Sequence, residues 1–104
     1  MAEAGRKVLV IGSIRARPEH IEQLLALSLE HVRRSRTEPG CLSHAVHHDV
    51  EDPLRLVFVE EWADRAALMA HFAVPASRGF VKAAAAWAVG APTMALYEVA
   101  ALSF

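Results

Sequence analysis

The chain has 104 residues, 54% of them hydrophobic, a formal charge of -1 and a mean hydropathy of +0.24. That length holds one domain with one core, and no basic stripe interleaved with aromatics offers a groove for nucleic acid. The longest apolar run, residues 83–89, is far short of the ~20 residues that span a bilayer, and no signal-peptide segment precedes the first strand, so a cytoplasmic protein is expected.

Residues 1–6 are small and polar and are expected to fray. Lys7 to Arg15 is almost continuously apolar, the pattern of a strand buried on both faces. Pro18 suits a first helical turn. Ile21, Leu24, Leu25, Ser28 and Val32 then recur at helical spacing, so the segment from Pro18 to about Ser35 reads as an amphipathic helix. His20 and His31 are read as belonging to the helix's polar side and are expected to be solvated.

Glu38-Pro39-Gly40 stops the helix, and Cys41 to Asp49 reads as a strand. Cys41 is the one cysteine, so it can form no intrachain disulfide and is expected to pack. Glu51-Asp52-Pro53 is a turn by composition, and Arg55 to Trp62 alternates as the second arm of an antiparallel hairpin. Asp64 can cap a second helix, with Leu68 and Phe72 on its inner stripe and His71 at the rim. Pro75 permits a break. Ser77 to Val89 is helical again, with Phe80, Ala84 and Trp87 on one stripe and Gly90 as C-cap, and residues 92–101 supply a last strand.

This order predicts an α+β, ferredoxin-like domain over residues 1–104, a four-stranded antiparallel sheet with helices on one face. The doubly apolar first strand and the hydrophobic excess leave the other face in need of cover. A homodimer packed sheet on sheet, a dimeric α/β barrel, is the simplest arrangement that supplies it.

Phe58, Glu60 and Trp62 share one strand face, and His71 leans toward it from the second helix. A carboxylate on an apolar face needs a partner, for which His71 and Arg78 are the candidates. Of the histidines at 44, 47 and 48 only His44 and His48 share a side of the strand, and no further ligand at recognisable spacing completes a metal set, so no metal is expected. His44 is more interesting as a pocket residue.

Glu38-Pro39-Gly40-Cys41, Asp52-Pro53, Glu60-x-Trp62, Ala67-Leu68, His71, Pro75 and Phe80 together resemble the antibiotic biosynthesis monooxygenase domain over essentially the whole chain. The resemblance implies a small dimeric α+β barrel and, among the family's activities, oxygenation of a quinol, phenolic or polyketide-like substrate without flavin, haem or metal. In that scheme His71 accepts the substrate proton, Glu60 orients it, and Trp62 stacks the ring. His44, Phe58, Phe72, Arg78 and Phe80 complete the substrate pocket.

The chain departs from the family at two positions. Phe58 stands where quinone-forming relatives carry an asparagine, of which this chain has none, and Ala76 stands where many carry a second histidine. These departures favour the alternative of a non-catalytic module that binds a small hydrophobic ligand or a partner protein. An isomerase in which His71 and His44 shuttle protons is a third option, disfavoured by the aromatic lining.

Overall fold

The computed structural model describes residues 6–104, so the fraying expected at residues 1–5 lies outside the described residues. Strand β1 (Lys7–Arg15) leads through a 3-10 turn (Pro18–His20) into α1 (Ile21–Ser35). Then come β2 (Cys41–Asp49), β3 (Asp52–Trp62), α2 (Arg65–Ala73), α3 (Pro75–Trp87) and β4 (Thr93–Val99). The strands pair antiparallel in the order β2-β3-β1-β4, the ferredoxin-like arrangement expected.

Register decides which side chains meet. Val10 lies opposite Glu60 on β3 and Leu96 on β4, while His44 lies opposite Glu60 from β2. Residues directly opposite share a face, so Val8, Val10, His44, Leu56, Phe58, Glu60 and Trp62 all look toward the helices. All seven are buried.

Two apolar clusters form on that side. Leu24, Val32, Leu56, Phe58 and Phe80 join α1 and α3 to the sheet, and Val8, Val10, Trp62 and Leu68 join α2 to it. The opposite face carries Leu9, Ile11, Val57, Val59 and Tyr97. Ile11 and Tyr97 remain 43% and 50% exposed, so the doubly apolar β1 is covered on one side only in the single chain.

Four local expectations are corrected. Strand β3 begins at Asp52 rather than Arg55, because the hairpin turns through Val50 and Glu51 alone. A register shift between His48 and Asp49 accommodates Pro53, which lies beyond the residues paired with β1. Helix α3 starts at Pro75, whose missing N–H costs nothing in a first turn. It ends at an extended Ala88, so Gly90 with φ 71° serves the following turn and not the cap. On α2 the buried partner of Leu68 is His71, three residues on, with Phe72 only half-buried.

Asp64 caps α2 as expected, its Oδ1 accepting from the Ala67 N–H at 2.8 Å. Just before β2, Gly40 has φ 83°, and a Cβ there would lie 2.5 Å from the Ala67 Cβ. Gly90 shares the positive φ, yet a Cβ there meets nothing within 4 Å.

Gly90→Ala is therefore expected to lose about 1 kcal/mol from backbone strain, and Gly40→Ala about 3 kcal/mol because strain and collision add. Urea unfolding of the two variants should rank them in that order.

Candidate functional site

A cavity of about 440 Å³ runs between α3 and the β1–β4 side of the sheet. Glu60, His71, Phe58, Phe72, Phe80 and Arg78 all line it. His31, Ser77, Gly12 and Met94 border it as well. Its surface is mostly apolar, with Glu60, His31 and His71 gathered at the α1–α2 end, the usual composition of a site for a small organic ligand.

Gly12 helps to make this room. It sits on the helix-facing side of β1, opposite Phe58 and Met94, and sends nothing into the space.

Trp62 and His44 do not border the cavity. Both are buried behind it at 0% and 1% exposure, so the expected contact of the indole with a substrate ring is replaced by a different task. The Trp62 Nε1–H donates to Glu60 Oε1 at 2.8 Å, and the ring lies 4.5 Å from the His71 ring at a 35° tilt. His44 Nε2 approaches the same Glu60 oxygen at 3.2 Å. That contact is not aligned as a hydrogen bond, and both ring nitrogens of His44 are left without one.

Burial is the largest influence on Glu60 and pushes its pKa up. His44, the Trp62 N–H and His71 together outweigh it, so Glu60 ends below the ordinary carboxylate value and stays ionised.

Glu60 is not the partner of His71. The His71 Nδ1–H instead donates to Glu38 Oε1 at 2.7 Å, from the turn after α1. A carboxylate only accepts, so Nδ1 carries a proton, and in the neutral imidazole the lone pair is then the one on Nε2. Arg78, the other candidate partner of Glu60, is exposed at the cavity's edge.

His31 overturns its expected place in solvent. It is 6% exposed, on the same α1 stripe as Leu24, Ser28 and Ser35, and its ring stacks on Phe80 at 4.2 Å and 8°. Arg34, one turn on, donates from Nη2 to His31 Nδ1 at 2.6 Å. Burial, then His44, Arg34 and His71, lower the His31 pKa to about 3, against the weaker opposing pull of Glu60.

His31, His44 and His71 thus form a triangle of imidazoles with centroids 5.4 to 5.6 Å apart. One nitrogen from each lies within 4.8 Å of the others, a grouping that strand spacing alone did not reveal and that has the donor type a metal ion takes. The Arg34 contact opposes that use, because it puts the His31 proton on the remaining nitrogen. Cys41 offers no nucleophile: burial, Glu60 and Glu38 push its thiol up.

The family model described as antibiotic biosynthesis monooxygenase matches residues 7–83. A crystal structure of an antibiotic biosynthesis monooxygenase superposes with a TM-score of 0.84 at 35% identity, covering 90% of this chain and 99% of the other. A Pseudomonas aeruginosa structure aligns at 28% identity with a TM-score of 0.78, over 93% of this chain and 95% of that one. An uncharacterized protein of Synechocystis sp. (strain ATCC 27184 / PCC 6803 / Kazusa) is 37% identical over 75 residues, 72% of this chain. The chain spans about half the length of that relative, 51%.

The His31 environment sets a sign for stability against pH. The folded imidazole titrates near 3 and the unfolded one near 6.5, so the unfolded chain takes up the proton first. The stability His31 contributes is complete above about 6.5 and is lost as pH falls toward 3. Replacing it with phenylalanine, which keeps the stack on Phe80, should make chemical unfolding less sensitive to pH between about 4 and 6 by one proton's worth of slope. The depressed Glu60 adds a further loss only as pH falls below its ordinary value of 4.5.

Proposed function

The chain belongs to the antibiotic biosynthesis monooxygenase family, and from that premise we propose that it oxygenates a small phenolic, quinol or polyketide-like substrate without a cofactor. The observation that carries this reading is the Glu38–His71 pair, with His71 among the residues that line a mostly apolar cavity. A general base needs an accessible lone pair, a fixed ring and a way to stabilise the charge it acquires, and the carboxylate at 2.7 Å supplies the last two.

In this scheme a flat ring enters between Phe58, Phe72 and Phe80. His71 Nε2 takes a hydroxyl proton, and Glu38 steadies the imidazolium. The substrate anion then gives electrons to dioxygen. One oxygen atom bonds to a ring carbon that loses its hydrogen and the other leaves as water, so a quinol plus O₂ becomes a hydroxyquinone plus H₂O. Trp62 and His44 take no part in contact with the ring; they hold Glu60 as a carboxylate at the polar end.

The reading includes a cytoplasmic homodimer joined through the face that bears Ile11, Val59 and Tyr97, since that patch is apolar and uncovered in the single chain. No described helix is long and apolar enough to cross a membrane.

A non-catalytic binding module would use the same cavity, and the lack of asparagine together with Ala76 favours it. Oxygen uptake with a panel of quinols and anthrones, without added cofactor, separates the two. Turnover should fall about 10²- to 10⁴-fold in His71→Ala and less steeply in Glu38→Gln, with the fold retained. Tight binding with no oxygen consumption by any panel member would assign the chain to the module.

A further inference from the structure

The Arg34–His31 pair shapes the cavity in a way the base alone does not. A guanidinium only donates, so at 2.6 Å His31 Nδ1 must be the acceptor and the ring's own hydrogen must sit on Nε2. The ring cannot easily turn away from this assignment, because it lies flat on Phe80 at 4.2 Å and is buried. It borders the same cavity as His71, and the two ring centroids are 5.4 Å apart.

The two imidazoles are therefore polarised in opposite senses by neighbours of opposite charge. Glu38 leaves His71 with a lone pair for the ligand, and Arg34 leaves His31 with an N–H.

We propose that His31 is the neutral hydrogen-bond donor for an oxyanion, a phenolate or enolate oxygen, in this cavity, and that Arg34 is the positioning residue that fixes its tautomer. The inference deepens the reading of His71 as base and rests on it for the origin of the anion. When the ligand hydroxyl loses its proton, the hydrogen goes to His71 Nε2, and the oxygen left behind accepts from His31 Nε2–H with no change in the number of protons on His31. A donor that stays neutral through the working pH range is not drained by the reaction, and it acts at full strength where water is excluded.

Glu60 and Glu38 are the carboxylates that oppose an anion here. Glu60 Oε1 is engaged by the Trp62 N–H and faces His44, and Glu38 Oε1 is engaged by the His71 Nδ1–H. The same triangle of histidines would suit a metal ion if Arg34 withdrew from His31 Nδ1 or if the His31 hydrogen left Nε2.

Two measurements on the full chain test the assignment. Two-bond ¹H–¹⁵N correlation spectra of uniformly labelled protein should show His31 as the neutral Nε2–H tautomer at about pH 5.5, and Arg34→Met should lose that pattern through tautomer exchange or protonation. The second probe is 4-nitrophenol, followed by its absorbance. The wild type should bind the phenolate about tenfold or more tightly relative to the neutral phenol, as expected for a hydrogen bond to a charged acceptor.

His31→Phe should erase that preference while still binding the neutral phenol, and Arg34→Met should reduce it. The anion can be added already formed at alkaline pH, anaerobically, so this result does not depend on His71 taking a proton or on any oxygenation. The proposal is overturned by an Nδ1–H tautomer in the wild type, by equal phenolate preference in His31→Phe, or by no binding of the probe at millimolar concentration. Stoichiometric Zn²⁺ binding that disappears in His31→Phe would overturn it in favour of a metal centre.

Discussion

A carboxylate placed in the middle of a sheet, on the side that packs against helices, is the constraint around which the polar half of this protein is built. Glu60 is 7% exposed and ionised, which in a low-dielectric interior is tolerable only with donors close by. Its own strand supplies one, the Trp62 N–H two residues along on the same face, and the neighbouring strand brings His44 Nε2 to 3.2 Å from directly across without a hydrogen bond. His44 brings its ring against His31 and His71, so the burial of one negative charge organises three imidazoles. Burial above all, and then those rings and Arg34, keep His31 uncharged.

The C-terminal end of α1 and the turn after it hold both ends of the polar cluster. Arg34 reaches back one turn to His31, and Glu38 reaches across to His71 on α2. Arg36 donates to the His44 carbonyl at 2.8 Å and ties the same segment to β2. The turn that follows depends on Gly40 lying against Ala67 at the start of α2. A short stretch of chain thus sets the spacing between two helices and the chemistry of the rings between them.

The architecture was legible because it rests on local patterns: the alternation through Phe58, Glu60 and Trp62, the stop at Pro39-Gly40, and the Asp64 cap each act over a few residues. The cavity-lining aromatics and His71 could be named for the same reason. What the pattern hid was pairing across the chain. Glu38 finds His71 33 residues away, a separation no periodicity encodes. His31 was readable in principle, since Leu24, Ser28, His31 and Ser35 follow one helical stripe, yet its polarity suggested solvent. Trp62 was placed on the right face, but a face shared with a cavity is not the same as its wall, and the indole's polar edge was claimed by the carboxylate beside it.

Gly12 gives the cavity its width by an omission. A Cβ at that position would stand 3.1 Å from the Thr93 carbonyl oxygen and would lead any larger side chain toward Phe58. The capacity of the chamber is consequently governed from the floor of the sheet, remote from Glu60, His31 and His71 at its polar end. Bulk introduced there would fill the space without touching any of those three side chains, so the volume of the chamber and the chemistry of its wall can drift apart independently as the sequence changes.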